Sequence, residues 1–99
     1  MIIEITSYYA RDGQADAVLD QRRQATALRT RLGLPPGRIF RKLEGAGPDL
    51  RWECVFATRD DYDRDMAVRV ASSEFAATRQ AMHALLERFE RHLQQDMDD

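Results

Sequence analysis

Between residues 33 and 37 the chain reads Gly33-Leu34-Pro35-Pro36-Gly37, and neither a helix nor a strand passes through such a segment. It separates two kinds of sequence. Before it, Gln14 to Leu32 runs without Pro or Gly and is dominated by good helix formers. After it, Arg38 to Glu44 and Leu50 to Thr58 read as two strands, with Gly45-Ala46-Gly47-Pro48-Asp49 as the hairpin loop between them. Ahead of the helix, Ile2 to Tyr9 is rich in β-branched and aromatic residues, as a strand should be, and Arg11-Asp12-Gly13 supplies the turn. Alternation in this first strand sends Ile3, Ile5 and Ser7 to one face and Glu4, Thr6 and Tyr8 to the other. In the strand from Leu50, the residues Leu50, Trp52, Cys54 and Phe56 share one face; Arg51, Glu53, Val55 and Ala57 share the opposite one.

The first helix carries a stripe of Ala15, Val18, Leu19, Ala25, Leu28 and Leu32, interrupted near its middle by Arg22 and Arg29. Either these guanidiniums snorkel past the edge or they pair with a carboxylate underneath; snorkelling is the expected outcome. Further on, Asp60 or Asp61 is placed to cap a helix with Tyr62, Met66 and Val70 on one side. Ser72-Ser73-Glu74 has the form of a second capped start. Phe75, Met82, Leu86, Phe89 and Leu93 then fall within about a third of a helical turn, which by itself extends a helix to about residue 95. Phe89, Leu93 and Met97 fit one face of a strand equally well, because a spacing of four satisfies both periods, although the absence of β-branched residues favours helix.

Ninety-nine residues make one domain, residues 1–99. Such a chain buries only about 60–70% of the surface its unfolded form exposes, so a second copy covering more of it is expected. The 15 basic residues against 17 acidic ones are interspersed, which gives no footprint for nucleic acid or an anionic membrane. Of the basic residues all but Lys42 are Arg, a usage that suits recognition of carboxylates and phosphates but is read more plainly as coding bias. Cys54 is the single cysteine, so no internal disulfide framework exists. No basic leader and no run of about 18 apolar residues is present. Cytoplasmic residence is expected.

Asp61-Tyr62-Asp63-Arg64-Asp65 imitates the start of a calcium loop, yet its sixth position is Met66 instead of Gly and its twelfth is Ser72 instead of Glu. It is read as a solvated helix start. His83 and His92 are nine apart, on opposite sides of a continuous helix, and with one cysteine elsewhere make no zinc set. Gly45-Ala46-Gly47 lacks the third glycine of a dinucleotide fingerprint, since Leu50 occupies its place and a hairpin surrounds it. Neither a Walker-type loop nor a nucleophile elbow occurs. No metal and no cofactor are expected. Cys54, in mid-strand among apolar neighbours, is expected in the core. Tyr8, Trp52 and Tyr62 are expected mainly as packing residues, and as the walls of a pocket for a flat organic ligand if one exists, with Glu4, Thr6 and Arg41 as its polar handles.

The opening residues carry a likeness. MIIEITSYYARDG resembles the start of the NIPSNAP-like branch of the dimeric α/β-barrel superfamily, which begins with a strand of the form I-x-E-L-R-x-Y followed by a turn ending in P-G. Trp52-Glu53 with Phe56, and Ser73-Glu74-Phe75 opening the late helix, extend the match. Glu4, Ile5 and Tyr8 fit the opening motif; Thr6 stands where Arg is usual, and Asp12 where Pro precedes Gly13. The resemblance implies an α+β fold: a ferredoxin-like βαββαβ subunit, an antiparallel sheet with helices on one face, and two such sheets packed face to face as a homodimeric α/β barrel. It also implies a fourth strand, roughly Arg88 to Gln95, and on this point the resemblance is followed over the helical pattern.

Two functions are compatible with these residues. One is a module that binds a small aromatic ligand in a semi-apolar pocket and performs no reaction. The alternative is a cofactor-free monooxygenase acting on a quinol or polyphenol, as the resemblance to the antibiotic-biosynthesis and quinol monooxygenases of this superfamily implies. There Tyr8, Trp52 and Tyr62 would wall the pocket, and Glu4 or Arg41 would assist deprotonation. Haem degradation, also found in the superfamily, relies on an Asn in the first strand and a His after the tryptophan strand. This chain has no Asn, and neither His follows Trp52 closely.

Overall fold

The computed structural model describes residues 1–98 and shows an antiparallel sheet with helices on one face. In chain order the elements are β1 (Ile2–Ala10), α1 (Ala15–Arg31), β2 (Arg38–Arg41), β3 (Leu50–Phe56), α2 (Arg59–Ala71), α3 (Ser73–His83) and β4 (Leu86–Gln95). The strands lie in the order β2-β3-β1-β4. This is the βαββαβ plan with the second helix broken in two. The break is at Ser72, extended at ψ 116, whose hydroxyl accepts the Phe75 N–H and caps α3.

The fourth strand exists, and it is longer than expected: nine register pairs join β4 to β1, from Ile2 opposite Gln95 to Ala10 opposite Leu86. Its helix-prone composition yields because pairing with β1 satisfies a second row of β1 backbone groups that would otherwise stand at the sheet edge. As the new edge, β4 carries Arg88, Glu90, Arg91 and His92, charges that discourage further strand addition. The hairpin strands are shorter than their sequence suggested. β2 ends at Arg41 instead of Glu44, β3 at Phe56 instead of Thr58, and Leu43 in the intervening loop is exposed.

Alternation holds in both central strands. Tyr8, Leu50, Trp52, Cys54 and Phe56 turn to the helices and form the core with Val18, Tyr62, Met82 and Leu86. Several sequence expectations change in the helices. Leu32 and Val70 are exposed, the latter 75% so, and contribute nothing to the core. The cap of α2 is Thr58, whose hydroxyl accepts the Asp61 N–H, and not Asp60 or Asp61. The opposite face of the sheet, with Ile3, Ile5, Phe40 and Val55 among Arg51, Glu53, Arg88 and Glu90, is covered by no helix among the described residues.

Gly37 closes the proline loop onto β3. Its φ is +70°, and a side chain there would meet the Trp52 ring nitrogen and the Glu53 carbonyl oxygen, the latter 2.6 Å from the position of a Cβ. Beside it the Trp52 Nε1–H donates to the Pro36 carbonyl at 3.0 Å, so the loop that ends α1 also orients the indole.

Candidate functional site

The inward face of β1 presents Glu4, Thr6 and Tyr8 to the helices, all under 10% exposed. A buried carboxylate in such a place costs several kcal/mol unless it is paired. Glu4 is paired twice. Arg69 of α2 grips it with two bonds, Nη2 to Oε1 at 2.5 Å and Nη1 to Oε2 at 2.9 Å, and Arg91 of β4 adds Nε to Oε2 at 2.9 Å. Burial pushes the Glu4 carboxyl up, but these two guanidiniums outweigh it and hold it below the usual carboxylate range.

The network continues in both directions. Arg69 Nε donates to Asp65 Oδ1 at 2.6 Å, and Asp65 receives Arg29 of α1 through Nη2 to Oδ2 at 2.6 Å and Nη1 to Oδ1 at 3.2 Å. Arg29 Nε donates to the Pro35 carbonyl at 2.7 Å. At the other end Arg91 Nη2 donates to the Tyr62 hydroxyl. The result is a run Arg29–Asp65–Arg69–Glu4–Arg91–Tyr62 linking both long helices to the sheet. Burial pushes the Arg69 guanidinium down, yet its two carboxylates outweigh that and raise it above the ordinary arginine value.

Two expectations are corrected here. Arg22 and Arg29 do not snorkel: they are 7% and 1% exposed, because α1 lies with the centre of its stripe flat on Trp52. Their guanidinium carbons sit 4.4 and 4.9 Å from the ring centroid. Nor is the Asp61–Asp65 run uniformly solvated. Its last member, Asp65, is 3% exposed and serves as the shared carboxylate of two arginines.

Beside this network lies a cavity of about 260 Å³. Its lining mixes charged residues, Glu4, Arg22, Arg29, Arg69, Arg79 and Arg91, with the apolar Trp52, Phe75, Met82 and Phe89. His83 stands at the cavity, stacked on Phe89 with ring centroids 4.7 Å apart. Of the six residues expected at a pocket, Glu4, Thr6, Tyr8 and Trp52 line it. Tyr62 is one step behind, reached through Arg91. Arg41 lies elsewhere, 45% exposed and paired with Asp16 at 2.6 Å. The five arginines and Asp65 were missed as site residues. The usable signal was the seven-residue spacing of Arg22 and Arg29, which places both on the buried stripe of one helix.

Cys54 is buried, 3.7 Å from Arg29 Nη2, and burial pushes its thiol up, away from reactivity. Among the described residues no group of three or more His, Cys, Asp or Glu side chains is placed to hold a metal ion, and no helix is long and apolar enough to cross a membrane.

No family model matches the chain, and no curated protein sequence matches it. Its structure does match. An uncharacterised NIPSNAP domain protein from Burkholderia xenovorans superposes with a TM-score of 0.78 over 97% of this chain and 94% of its own, at 13% identity. A NIPSNAP family protein from Agrobacterium tumefaciens gives 0.76 over 98% and 86%, at 19% identity. SnoaB, a cofactor-independent oxygenase from Streptomyces nogalater, gives 0.74 over 97% and 92%, at 15% identity. The chain therefore has the ferredoxin-like fold that NIPSNAP domain proteins and antibiotic-biosynthesis monooxygenases share.

Proposed function

We propose that this protein binds a small organic ligand in the cavity between the sheet and helices α1 and α3, and does so as a homodimer joined through the open face of the sheet. The observation that carries the reading is the mixed lining: apolar Phe75, Met82 and Phe89 share the cavity with charged Glu4, Arg22, Arg69 and Arg91. Pockets of this make-up hold ligands by apolar contact and orient them with a few fixed polar groups. Those groups are fixed here, since the ion-pair run holds each guanidinium except that of Arg22 on a carboxylate. With its one thiol buried and unpaired, the protein suits the reducing cytoplasm.

Thermal denaturation against a panel of small aromatic and alicyclic compounds tests the reading. Binding raises the midpoint in a concentration-dependent way. Trp52→Phe and Phe75→Ala, which reshape the lining contributed by β3 and by α3, should each reduce the shift. A panel that leaves the wild-type midpoint unmoved, with no perturbation of the single tryptophan's fluorescence, would sink it.

The alternative is a cofactor-free monooxygenase acting on a quinol or polyphenol. Its support is the likeness to SnoaB together with a cavity whose arginines would stabilise a phenolate. Oxygen-electrode traces with a series of hydroquinones decide it: uptake proportional to enzyme supports it, and rates equal to buffer alone reject it.

A further inference from the structure

Exposure divides the residues that line the cavity. Trp52, Phe75 and Met82 are buried and belong to its inner end, whereas Arg79, His83, Phe89 and Arg91 are exposed and stand where it opens to solvent. The two cations at this opening keep donors to spare. Arg91 is held by Nε on Glu4 and by Nη2 on the Tyr62 hydroxyl, and its Nη1 has no acceptor among the described residues. The Arg79 guanidinium has none for any of its nitrogens. We propose that the cavity takes an amphipathic organic anion, its hydrocarbon end inward against Phe75 and Met82 and its charged end at the opening, on Arg79 and Arg91. The proposal rests on the reading of the cavity as a ligand site and names the class of ligand.

The charge around the cavity favours an anion. Among the described residues five arginines line it, Arg22, Arg29, Arg69, Arg79 and Arg91, and Glu4 is the one carboxylate that does. Asp65, behind the lining, is the second carboxylate these arginines share. Five positive charges against two negative ones leave an excess of three. The inner arginines act by their field and not by contact: Arg29 and Arg69 are spent on carboxylates, and the Nε and Nη2 of Arg22 are shut in by protein. Charges removed from water are poorly screened, so the excess draws an anion in preference to a neutral molecule or a cation of the same shape.

Solvation decides which end goes in. A carboxylate carried inward would lose its water and meet guanidiniums already bonded to Glu4 and Asp65; at the opening it keeps part of its water and gains free donors. Hydrocarbon gains most at the inner end, beside Phe75 and Met82 at 8% and 6% exposure. Phe89, stacked on His83, gives the opening an aromatic flank for the body of the ligand. A volume of about 260 Å³, just below the roughly 300–1,000 Å³ of common ligand pockets, suits one ring on a short tail.

The test is calorimetric titration of the full chain with three compounds of similar shape: phenylacetate, its neutral amide phenylacetamide, and the cation phenethylamine. The acid should bind about tenfold tighter than the amide, the size of effect a charge-assisted hydrogen bond supplies, and the amine should bind weakest. Arg79→Gln, at an exposed side chain with no partner to lose, should cut the acid's lead to about threefold or less, and Arg79→Glu should abolish it. Arg23→Gln removes an equal charge from an exposed position of α1 outside the lining and should leave the lead as in wild type. Equal binding of acid and amide by wild type overturns the anion assignment while leaving the cavity as a ligand site, and so does an amine that binds as tightly as the acid. A lead that survives Arg79→Glu, or that falls as far in Arg23→Gln as in Arg79→Gln, overturns the placement of the charge at the opening. Absence of binding by all three compounds at millimolar concentration overturns the assignment and the ligand-site reading together.

Discussion

Arg29 of α1 and Asp65 of α2 are 36 residues apart in sequence and meet at 2.6 Å, each almost wholly removed from solvent. Arg29 also takes the Pro35 carbonyl, and Asp65 also takes Arg69, which reaches Glu4 on the central strand. Helix, loop, helix and sheet are thus joined by charge at the centre of the domain, where a chain of this size would ordinarily place hydrocarbon. Buried pairs contribute little net stability against an apolar replacement, but the loss of one partner is severe.

Asp65→Leu should therefore cost about 3–5 kcal/mol, because it strands the buried Arg29 guanidinium and takes from Arg69 one of its two carboxylates. In a domain this small each kcal/mol lowers the melting midpoint by roughly 4–8 °C, so calorimetry resolves the effect easily. Adding Arg29→Met to Asp65→Leu should recover more than about 1 kcal/mol, the sign of direct coupling. A double variant no more stable than Asp65→Leu would show that the pair is not a unit.

Glu4 gives the fold an acid limit. Its pKa is depressed in the folded protein, so the stability it contributes is fully present above its ordinary value of 4.5 and drains away as pH falls through the lower, folded value. Glu4→Gln should be markedly less stable than wild type at neutral pH, and the gap should close steadily as the pH drops below 4.5. Urea melts of both proteins between pH 7 and pH 3 measure it; a constant gap would mean that Glu4 is not held as a carboxylate.

Much of this architecture was legible in the chain, and what was hidden has a common cause. Alternation in β1 and β3 follows from local pattern, and both strands obey it to the residue. β4 does not, since a spacing of four fits helix and strand alike and only the demand of β1 for a second partner decides between them. The site was half visible. Glu4, Thr6, Tyr8 and Trp52 share the inward sheet face, as strand parity requires. Their arginines arrive from α1, α2 and β4, and a guanidinium's partner depends on how those elements pack. Arg91 illustrates the limit: it stands directly opposite Thr6, the position where the opening motif would carry an arginine, although the two are far apart in sequence.

Gly37 should be irreplaceable in a way that Gly13 is not. Both have positive φ, +70° and +76°, so alanine costs about 1–2 kcal/mol of strain at either. At Gly13 a methyl group meets nothing within 4 Å, whereas at Gly37 it collides with the Trp52 ring nitrogen and the Glu53 backbone. Gly37→Ala should thus lose more stability than Gly13→Ala, and its tryptophan emission should shift as the bond from Trp52 to Pro36 breaks. Equal losses and unchanged emission would show that the loop gives way without disturbing the indole.

The open sheet face makes the last prediction. Ile3 and Ile5 on β1 and Val55 on β3 form an apolar strip; Val55 alone is 51% exposed, and charges of both signs, Arg51, Glu53, Arg88 and Glu90, flank it. A face with an apolar centre and mixed charges around it is complementary to itself across a two-fold axis, so each residue can meet its opposite on a second copy. Light scattering on a sizing column should give a mass near twice the 11.4 kDa of one chain. Val55→Asp adds a charge at the strip where the monomer leaves it in water, so it should spare the isolated fold and halve that mass. A wild-type mass of one chain would reject the paired sheets, and a dimer untouched by Val55→Asp would move the interface to another surface.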